Sequence, residues 1–455
     1  MPLSRIFEIS RHSLMTYQKA LSVTSNNISN ASNPNYSRRR VHVNASKPEI
    51  INGTELGTGV TISDVRRVRN TVLDNQIRKF TFLQNSNDYK SSLLGSIESL
   101  MSEPSDEGLS NLIKRFFNSW DELALDPSST PARANVVNAA QKLSDKLYTV
   151  HNGITRLKKD LRDDADATVT EINSLLKNLT EVNRQIYDAH IKGDEANTWL
   201  DKRDEILEEL SQYVDTNVHI GNDETATVSI GGVFVANKTT YNELSADVET
   251  VNGEETLVIT TNDNTRLRLK GGKLYGIENG YNDLISDYLE RLDNIGETIM
   301  REVNSVHSGN FTLEDPPQTG IDFFTSYSGG MLTINENIIN DPNKIAISAD
   351  GNPENNEGAL SIASLANDEL VNGETIENYY ALLVSDIANG KRNSEDEAAN
   401  YELVVQQFQA QRSEESSVNV DEEMVNVLNF QRSYDAAARL IRIADEMLQT
   451  LIEMV

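Results

Sequence analysis

Apolar residues recur every seven positions near both ends of this 455-residue chain. Such a repeat keeps one face of an α-helix apolar along its length and is typical of coiled-coil seams. Near the N-terminus the row is Phe7, Leu14, Leu21 and Ile28. The C-terminal stripe is broader and consists of Phe430, Tyr434, Ala437, Leu440, Ile441, Ala444, Met447, Leu448 and Leu451. Because each apolar face needs a partner, we expect the two terminal helices to pack on each other and on further copies of the chain.

A second row accompanies the N-terminal one and consists of Leu3, Ser10, Tyr17 and Thr24. For the C-terminal helix, Asn419 is a suitable N-cap, and Glu422 follows three residues later as in a capping box. The acidic run 421–423 is therefore interpreted as capping plus a solvated face, rather than as a metal or acid–base site. The apolar pattern continues to Val455, so we expect something to cover this helix.

Between the ends, helical patterns are broken by two β-rich stretches. Helices are predicted over 72–101, 109–126, 130 to about 191, 197–214, 281–307, 357–370 and 375–415. Thr130 followed by Pro131 predicts the N-cap and first residue of the longest helix. Within that helix a 3.5-residue spacing predicts a continuous seam. The seam residues are Leu161, Ala165, Thr168, Ile172, Leu175, Leu179, Val182 and Ile186.

Short β-branched runs with Gly and Asn turns predict β-rich inserts over 216–274 and 309–350. We therefore predict a mainly α fold with β-rich inserts and discontinuous domains. Its parts are a terminal coiled-coil domain of 1–36 with 416–455, a long-helix middle domain of 37–215 with 275–415, and the two inserts as small outer domains.

Charge and composition narrow the function classes. The net charge is −29, yet residues 1–80 hold 12 Lys and Arg against 5 Asp and Glu. That basic part lacks interleaved aromatic residues, and the acidic remainder would repel a polyanion, so we expect no nucleic-acid partner. No apolar run approaches the roughly 18 residues of a membrane span, and no secretory signal is apparent, so we expect no membrane partner. The absence of cysteine excludes disulfides and thiolate chemistry.

No motif for catalysis, metal binding or a cofactor is found in the sequence. The six histidines are scattered, the glycine pairs lack the frame of a phosphate-binding loop, and no serine lies in a nucleophile elbow. This favours a structural protein without cofactor or metal. The alternative is an enzyme carried on the β inserts, for which His219 and His307 are the available histidines.

Two stretches resemble known motifs. "SLMTYQKALSVTSNNISNASNPNYSRR" (13–39) resembles the N-terminal motif of bacterial flagellar rod, hook and hook-associated proteins, and 416–454 resembles their C-terminal motif. The stretches 57–70, 116–133 and 193–215 are similar to the hook-associated proteins at the junction between hook and filament. Another flagellar axial protein, a hook or rod subunit, remains the alternative within this family.

The resemblance implies a structural subunit that polymerises on the distal end of the hook and adapts it to the filament side. It implies partners as well: further copies of the chain, the hook protein, the second junction protein, and an export chaperone on the C-terminal helix, residues 421–455. It also implies export through the flagellar type III secretion apparatus. The protein would thus be extracellular in the flagellum after a transient cytoplasmic stage.

The motif departs from the family at its turn, which reads Asn33, Pro34, Asn35, Tyr36 where the family has Thr-Pro-Gly-Tyr. Pro34 disfavours helix at the preceding residue, so the first helix is predicted to end by about Ser32. A type II turn with Pro34 at its second position needs a positive φ at the third. Asparagine tolerates that conformation and a β-branched residue does not, so Asn35→Val is expected to impair assembly.

Overall fold

The computed structural model describes residues 2–51, 53–251 and 253–453. The chain divides into two units, of which the first comprises Met1–Phe82, Ile172–Glu243 and Tyr401–Val455, and the second Leu83–Glu171 and Leu244–Asn400. The predicted insert 216–274 is thus shared between the two units. The other predicted domain boundaries stay predictions. Met454 and Val455 lie outside the described residues, as do the side chains of Leu3 and Leu451.

The first half of the chain holds five helices and the first seven strands of the described residues. In chain order they are α1 Pro2–Ser29, β1 Arg39–Ala45, β2 Glu49–Ile51, β3 Thr54–Leu56, β4 Val60–Arg67, α2 Thr71–Met101, α3 Leu109–Leu125, α4 Thr130–Lys192, α5 Asn197–Tyr213, β5 Thr216–Ile220, β6 Ala226–Ile230 and β7 Val233–Ala236. The second half continues with β8 Leu244–Val251, β9 Glu254–Thr261, α6 Lys273–Asn279, α7 Ile285–His307, β10 Phe324–Ser328, β11 Met331–Ile334, α8 Glu336–Asn340, α9 Glu357–Ser364, α10 Ile376–Ser416 and α11 Val420–Glu453.

The long helices agree closely with the sequence pattern. α2, α3, α4 and α10 begin and end within one residue of their predicted bounds. All eight predicted seam residues of α4 are buried. One detail is wrong: the α4 N-cap is Ser129, whose hydroxyl accepts the amide N–H of Ala132 at 3.4 Å and whose carbonyl accepts that of Arg133. The helix therefore starts at Thr130 itself.

All the sheets within the described residues are small and antiparallel. β1 pairs with β4, β2 with β3, β8 with β9 and β10 with β11, while β5, β6 and β7 form a three-stranded meander. The strands in both predicted inserts are thereby confirmed. β1 to β4 were missed, since they lie in the range 37–215 that was predicted to be helical. The alternating burial along β1, with Val41 and Val43 facing inward, is the signal that identifies such a strand.

The second unit has a core of aromatic rings. Trp120 is fully buried, with its ring centroid 5.2 Å from that of Phe323 and 6.2 Å from that of Phe116. His307, also fully buried, lies beside them at the end of α7. Its Nδ1 is 2.7 Å from the carbonyl oxygen of Ile321, and its Nε2 accepts the amide N–H of Ala346 at 2.9 Å. Burial lowers the pKa of His307 to about 4, so the ring is neutral at pH 7.

Candidate assembly interface

In the first unit, α1 and α11 pack along each other, and α1 also contacts β1 and β4. The fully buried residues of α1 are small or polar rather than large and apolar. Ser10, Ala20, Thr24 and Asn27 are each at most 3% exposed. On α11 the buried residues are Glu423, Ala437 and Ala444, spaced in sevens or their multiples. Small side chains allow two helix backbones to approach closely, so this seam is narrow.

The predicted N-terminal row is only partly buried. Leu14, Leu21 and Ile28 are half-buried, and Phe7 is 42% exposed. In the companion row Ser10 and Thr24 are buried, and the ring of Tyr17 is 6.4 Å from that of Phe430 on α11. The companion row is thus the more buried of the two, and its Tyr17 contacts α11.

The predicted C-terminal stripe divides into an inner and an outer part. Ala437 and Ala444 are buried, and Phe430, Tyr434 and Ile441 are half-buried. The remaining predicted residues with described side chains, Leu440, Met447 and Leu448, are exposed. They belong to a larger set of exposed apolar residues on α11, which includes Met424, Val425, Leu428, Ile443 and Ile452. A two-helix pairing leaves this outer set uncovered.

Asn27 connects α1, β1 and α11. Its Nδ2 donates to the carbonyl oxygen of Arg39 and to Oε2 of Glu423, both at 2.9 Å. Its Oδ1 accepts the hydroxyl of Tyr36 at 2.8 Å and the amide N–H of Arg39 at 3.0 Å. Burial raises the pKa of Tyr36 to about 12 against the lowering effect of Arg39, so the phenol remains a donor at neutral pH. One asparagine side chain thus joins three segments.

The interpretation of 421–423 as a solvated face is wrong for Glu423, which is 3% exposed. Its Oε1 accepts Nε of Arg38 at 3.0 Å and lies 2.8 Å from Nη2 of the same guanidinium. The predicted cap is confirmed, since Oδ1 of Asn419 accepts the amide N–H groups of Asp421 and Glu422. Glu423 was missed because capping patterns say nothing about partners on the far end of the chain.

The turn after α1 has a different geometry from the predicted one. α1 ends at Ser29, and the amide N–H of Tyr36 donates to the carbonyl oxygen of Asn33 at 3.1 Å, which closes a β-turn. Among the described residues other than glycine, a positive φ occurs at Ser102, Glu224, Asn264 and Asn372, and Asn35 is not one of them. The type II turn is therefore wrong. Oδ1 of Asn33 accepts the amide N–H of Asn35 at 3.1 Å, which favours a turn with negative φ values.

The basic segment 38–78 is held by acidic residues of α5. Nη1 of Arg67 lies 2.8 Å from Asp201 and 2.9 Å from Asp204, and Nη2 of Arg203 lies 2.6 Å from Asp204. Burial alone would raise the pKa of Asp204, but the guanidinium groups of Arg203 and Arg67 outweigh it and hold that pKa below its ordinary value. Arg67 is thus paired with carboxylates of α5 within the first unit.

Other kinds of site find little support. Within the described ranges, no three or more His, Asp or Glu side chains are grouped so as to hold a metal ion. Of the two insert histidines, His307 has both ring nitrogens occupied by the backbone, and His219 is exposed on β5. None of the helices in the described part of the chain combines the length and hydropathy that a membrane span needs.

Two protein families match the chain. The family described as "Flagellar hook-associated protein FlgK helical domain" matches residues 94–324, just over half of the chain. The family described as "Flagellar basal body rod FlgEFG protein C-terminal" matches residues 409–454, which include the whole of α11. The second match covers the helix whose outer apolar face is uncovered.

Similar whole proteins are known. Flagellar hook-associated protein 1 of Bacillus subtilis (strain 168) is 28% identical over 499 aligned positions, which cover 98% of this chain and 97% of the relative. The protein of the same name from Escherichia coli (strain K12) is 22% identical, with 99% and 100% covered. The structure of the flagellar hook junction protein FlgK from Burkholderia pseudomallei aligns with a TM-score of 0.64 at 14% identity, and covers 74% of this chain and 100% of that one. The shared fold is mainly α and multi-domain.

Proposed function

The chain belongs to the family of the flagellar hook-associated protein FlgK and is a structural component of the flagellum at the hook junction, and we propose that it polymerises there on the distal end of the hook and adapts the hook to the filament. The terminal coiled-coil domain would carry this assembly. The turn residues Asn33 to Tyr36 would hold the helix pair to the rest of the first unit.

The exposed apolar side chains of α11 carry this proposal. Leu440, Ile443 and Met447 follow one another at spacings of three and four, as on one face of a helix. Each of them is more than 40% exposed. Soluble monomers rarely expose contiguous apolar patches of this kind, so the face fits a second copy of α11 or of α1 from a neighbouring subunit.

Paired charge substitutions test the proposal. Leu440→Asp combined with Met447→Asp would place two carboxylates in the subunit contact. We expect the variant protein to fold, because both positions are exposed, but not to be incorporated at the hook tip. The matched control is Gln431→Asp combined with Gln449→Asp, which adds the same charge at exposed polar positions of α11. Incorporation is measured by labelling of isolated hook–filament complexes, and motility is scored beside it.

Normal assembly of the Leu440 and Met447 variant would contradict a role of this face. Failure of the control as well would show that added charge anywhere on α11 blocks assembly. The same labelling distinguishes the alternative of a hook subunit. A signal confined to the junction supports the proposed position, whereas a signal along the whole hook supports the alternative.

We further propose that an export chaperone covers residues 421–455 before secretion through the flagellar type III apparatus. The support is again the exposed apolar face, which needs protection from water in the cytoplasm before assembly. The full-length chain should bind the chaperone in the cytoplasm, and a chain that lacks 421–455 should not bind it. Substitutions at Leu440 and Met447 should weaken it, while the Gln431 and Gln449 control should not. Capture of all variants to the same extent would contradict this site.

The hook protein and the second junction protein are the proposed neighbours on the two sides. The role is proposed to be structural rather than catalytic, because the relatives are named as hook-associated proteins and His307 has no free ring nitrogen. Cross-linking of labelled subunits in isolated complexes would identify the neighbours. Absence of both proteins from the cross-linked products would contradict the junction position.

A further inference from the structure

A cavity of about 600 Å³ lies in the first unit between the end of β4, the start of α2, α5 and β5. Charged residues of both signs line it, and among those that are buried or half-buried the arginines outnumber the carboxylates: Arg67, Arg69, Arg78 and Arg203 against Asp64, Asp74 and Asp204. Of these four arginines, Arg67 and Arg69 are half-buried, and Arg78 and Arg203 are buried. A polar cavity of this size has room for a small ligand and its water shell.

Three of these arginines have carboxylate partners within the first unit. Arg67 contacts Asp201 and Asp204, and Nε of Arg69 lies 2.9 Å from Asp74 and 3.5 Å from Asp204. Arg203 contacts Asp204. A further guanidinium, that of Arg412 on α10, lies 2.6 Å from Glu208 and 3.5 Å from Asp74. Arg39 also lies 3.7 Å from Asp201, so together with Arg78 six guanidinium groups share four carboxylates.

Arg78 is the arginine of this group that has no carboxylate in direct contact. It is 8% exposed, and no carboxylate oxygen of the described residues lies within 4.0 Å of its nitrogens. Asp74 is one helical turn earlier on α2, but its oxygens are turned to Arg69 and Arg412. Nη2 of Arg78 donates to Oδ1 of Asn75 at 2.5 Å, which supplies no charge. A buried guanidinium is thus held without a carboxylate in direct contact.

The pKa values of the two neighbours on this wall agree with that difference. Burial lowers the pKa of Arg78, and the more distant Asp74 and Asp204 do not offset it. Burial acts on Arg69 in the same way, but Asp204 and Asp74 outweigh it and raise the pKa of Arg69. Both groups remain protonated at pH 7. Nearby carboxylates therefore offset the electrostatic cost of burying the charge at Arg69 but not at Arg78.

We propose that the cavity binds an oxyanion, a carboxylate or phosphate group, through the guanidinium of Arg78. A planar guanidinium binds two oxygens of such a group at once, and the contact would supply the missing negative charge of the cluster. Asn197 and Thr71 on the same wall are further polar groups within the cavity.

Acidic residues at the rim do not remove this preference. Asp64 is paired with Arg66, and Glu195 with Lys19. Asp194 and Glu224 are exposed to solvent. Water and salt screen exposed charges strongly, whereas a buried guanidinium keeps its field in the cavity. The buried part of the lining therefore holds more guanidinium groups than carboxylates.

The oxyanion has two sources. It is either a free anion such as inorganic phosphate or a side-chain carboxylate of a second copy, which the strongly acidic chain with 70 Asp and Glu supplies in number. The second source rests on the proposed self-assembly. Binding of free phosphate to the isolated full-length chain does not depend on self-assembly. Failure of the oxyanion site is therefore distinguishable from failure of the proposed self-assembly.

Titration of the full-length protein with inorganic phosphate tests the site. Calorimetry at constant ionic strength, with chloride as the compensating anion, should give a saturable binding curve for the wild type. Arg78→Met should weaken phosphate binding at least about tenfold, because the buried charge and its fork are lost. Arg78→Lys should give an intermediate value, because a point charge replaces the fork. Arg66→Met, an exposed rim position, should stay within about twofold of the wild type.

The outcomes are separable. A wild type without saturable binding, or equal binding by the wild type, Arg78→Met and Arg78→Lys, would overturn the site. Circular dichroism checks folding, and if Arg78→Met does not fold, the comparison of Arg78→Lys with Arg66→Met decides. Sedimentation with and without phosphate then gives the source. Competition between phosphate and self-association supports a carboxylate of a second copy, and self-association unchanged by phosphate supports a free anion.

Discussion

Two regions of the molecule bury their residues in different ways. In the second unit, Trp120 and Phe323 are large rings in mutual contact and fully buried. In the terminal helix pair of the first unit, the seam consists of Ser10, Thr24, Asn27 and two alanines on α11, while large apolar side chains such as Ile443 remain exposed. The first arrangement is complete within one chain. The second leaves large apolar side chains uncovered within the chain.

The difference shows that a heptad pattern does not by itself tell which partner a helix has. The apolar seam of α4 is buried in the chain, and the outer apolar residues of α11 are not, although both follow the same spacing. Burial within the chain therefore separates residues that maintain the fold from residues that are available for assembly.

Truncation of a large side chain in each region should give the largest difference in the free energy of unfolding. Trp120→Ala should lower the free energy of unfolding by about 3–5 kcal/mol, because it leaves a large cavity in the aromatic core. Ile443→Ala, at a site 46% exposed, should lower it by less than about 0.5 kcal/mol. Urea unfolding followed by far-ultraviolet circular dichroism measures both.

Trp120→Phe is the control for the core, because it keeps a ring and removes an indole N–H that has no hydrogen-bond partner among the described residues. It should cost less than half of what Trp120→Ala costs. An equal loss for Trp120→Ala and Ile443→Ala would contradict the distinction between the two regions.

Acid should act on the two regions in different pH ranges. The folded-state pKa of His307 is about 4 against an ordinary value of 6.5, so the neutral ring contributes stability that is complete above pH 6.5. This contribution should be lost between pH 6.5 and about pH 4, in total about 3 kcal/mol. In the first unit the pKa of Asp204 is lowered, so the stability from its ion pairs is complete above its ordinary value of 3.8 and is lost below it.

Unfolding titrations at a series of pH values measure this difference. His307→Gln should flatten the dependence between pH 6.5 and pH 4, whereas His42→Gln at an exposed position should leave it unchanged. The same slope for both variants would exclude His307 as the titrating group.

Loss of one buried carboxylate should weaken the helix pair by an intermediate amount. Glu423→Ala should cost about 2 kcal/mol, because Arg38 and Asn27 lose a buried acceptor. Glu422→Ala is the matched control, since its carboxylate also contacts Arg38, at 3.0 Å, but is 59% exposed. It should cost less than about 0.5 kcal/mol. Hydrogen exchange of α1 and α11 measures the effect locally, and equal protection of both variants would contradict the role of Glu423.

The smallest effects are expected at the turn after α1. Asn33→Ala removes the acceptor of the Asn35 amide and should cost about 1 kcal/mol. Asn35→Val should cost no more than about 0.5 kcal/mol, because the φ of Asn35 is not positive and its side-chain bond to Glu205 is exposed. Thermal unfolding measures the stability of both variants. A larger loss of stability for Asn35→Val than for Asn33→Ala would favour the type II turn.

Sequence periodicity was sufficient for the long helices because a repeat over 30 or more residues leaves few alternatives. α2 and α10 end within one residue of their predicted bounds for this reason. The four strands between Arg39 and Arg67 are short, and their alternation is weak beside the surrounding helical signal. Local pattern therefore gave the class of fold but not these hairpins.

The site was predicted less completely than the fold. The stripe of α11 was identified from spacing alone, whereas Asn27 and Glu423 are 396 residues apart and no local pattern connects them. Arg78 was likewise not distinguishable from its neighbours, because its lack of a carboxylate depends on the orientation of Asp74. Tertiary partners of polar residues need the structure.

The bond between Asn27 and Glu423 has a kinetic consequence. Contacts between residues far apart in sequence close large loops, and they form late because the entropy of the whole intervening chain opposes them. During synthesis α1 emerges first and remains without Glu423 until almost the entire chain has followed. The pairing of the terminal helices should therefore be the last part of the fold to form, and α1 should spend most of the folding process with β1 and β4 but without α11.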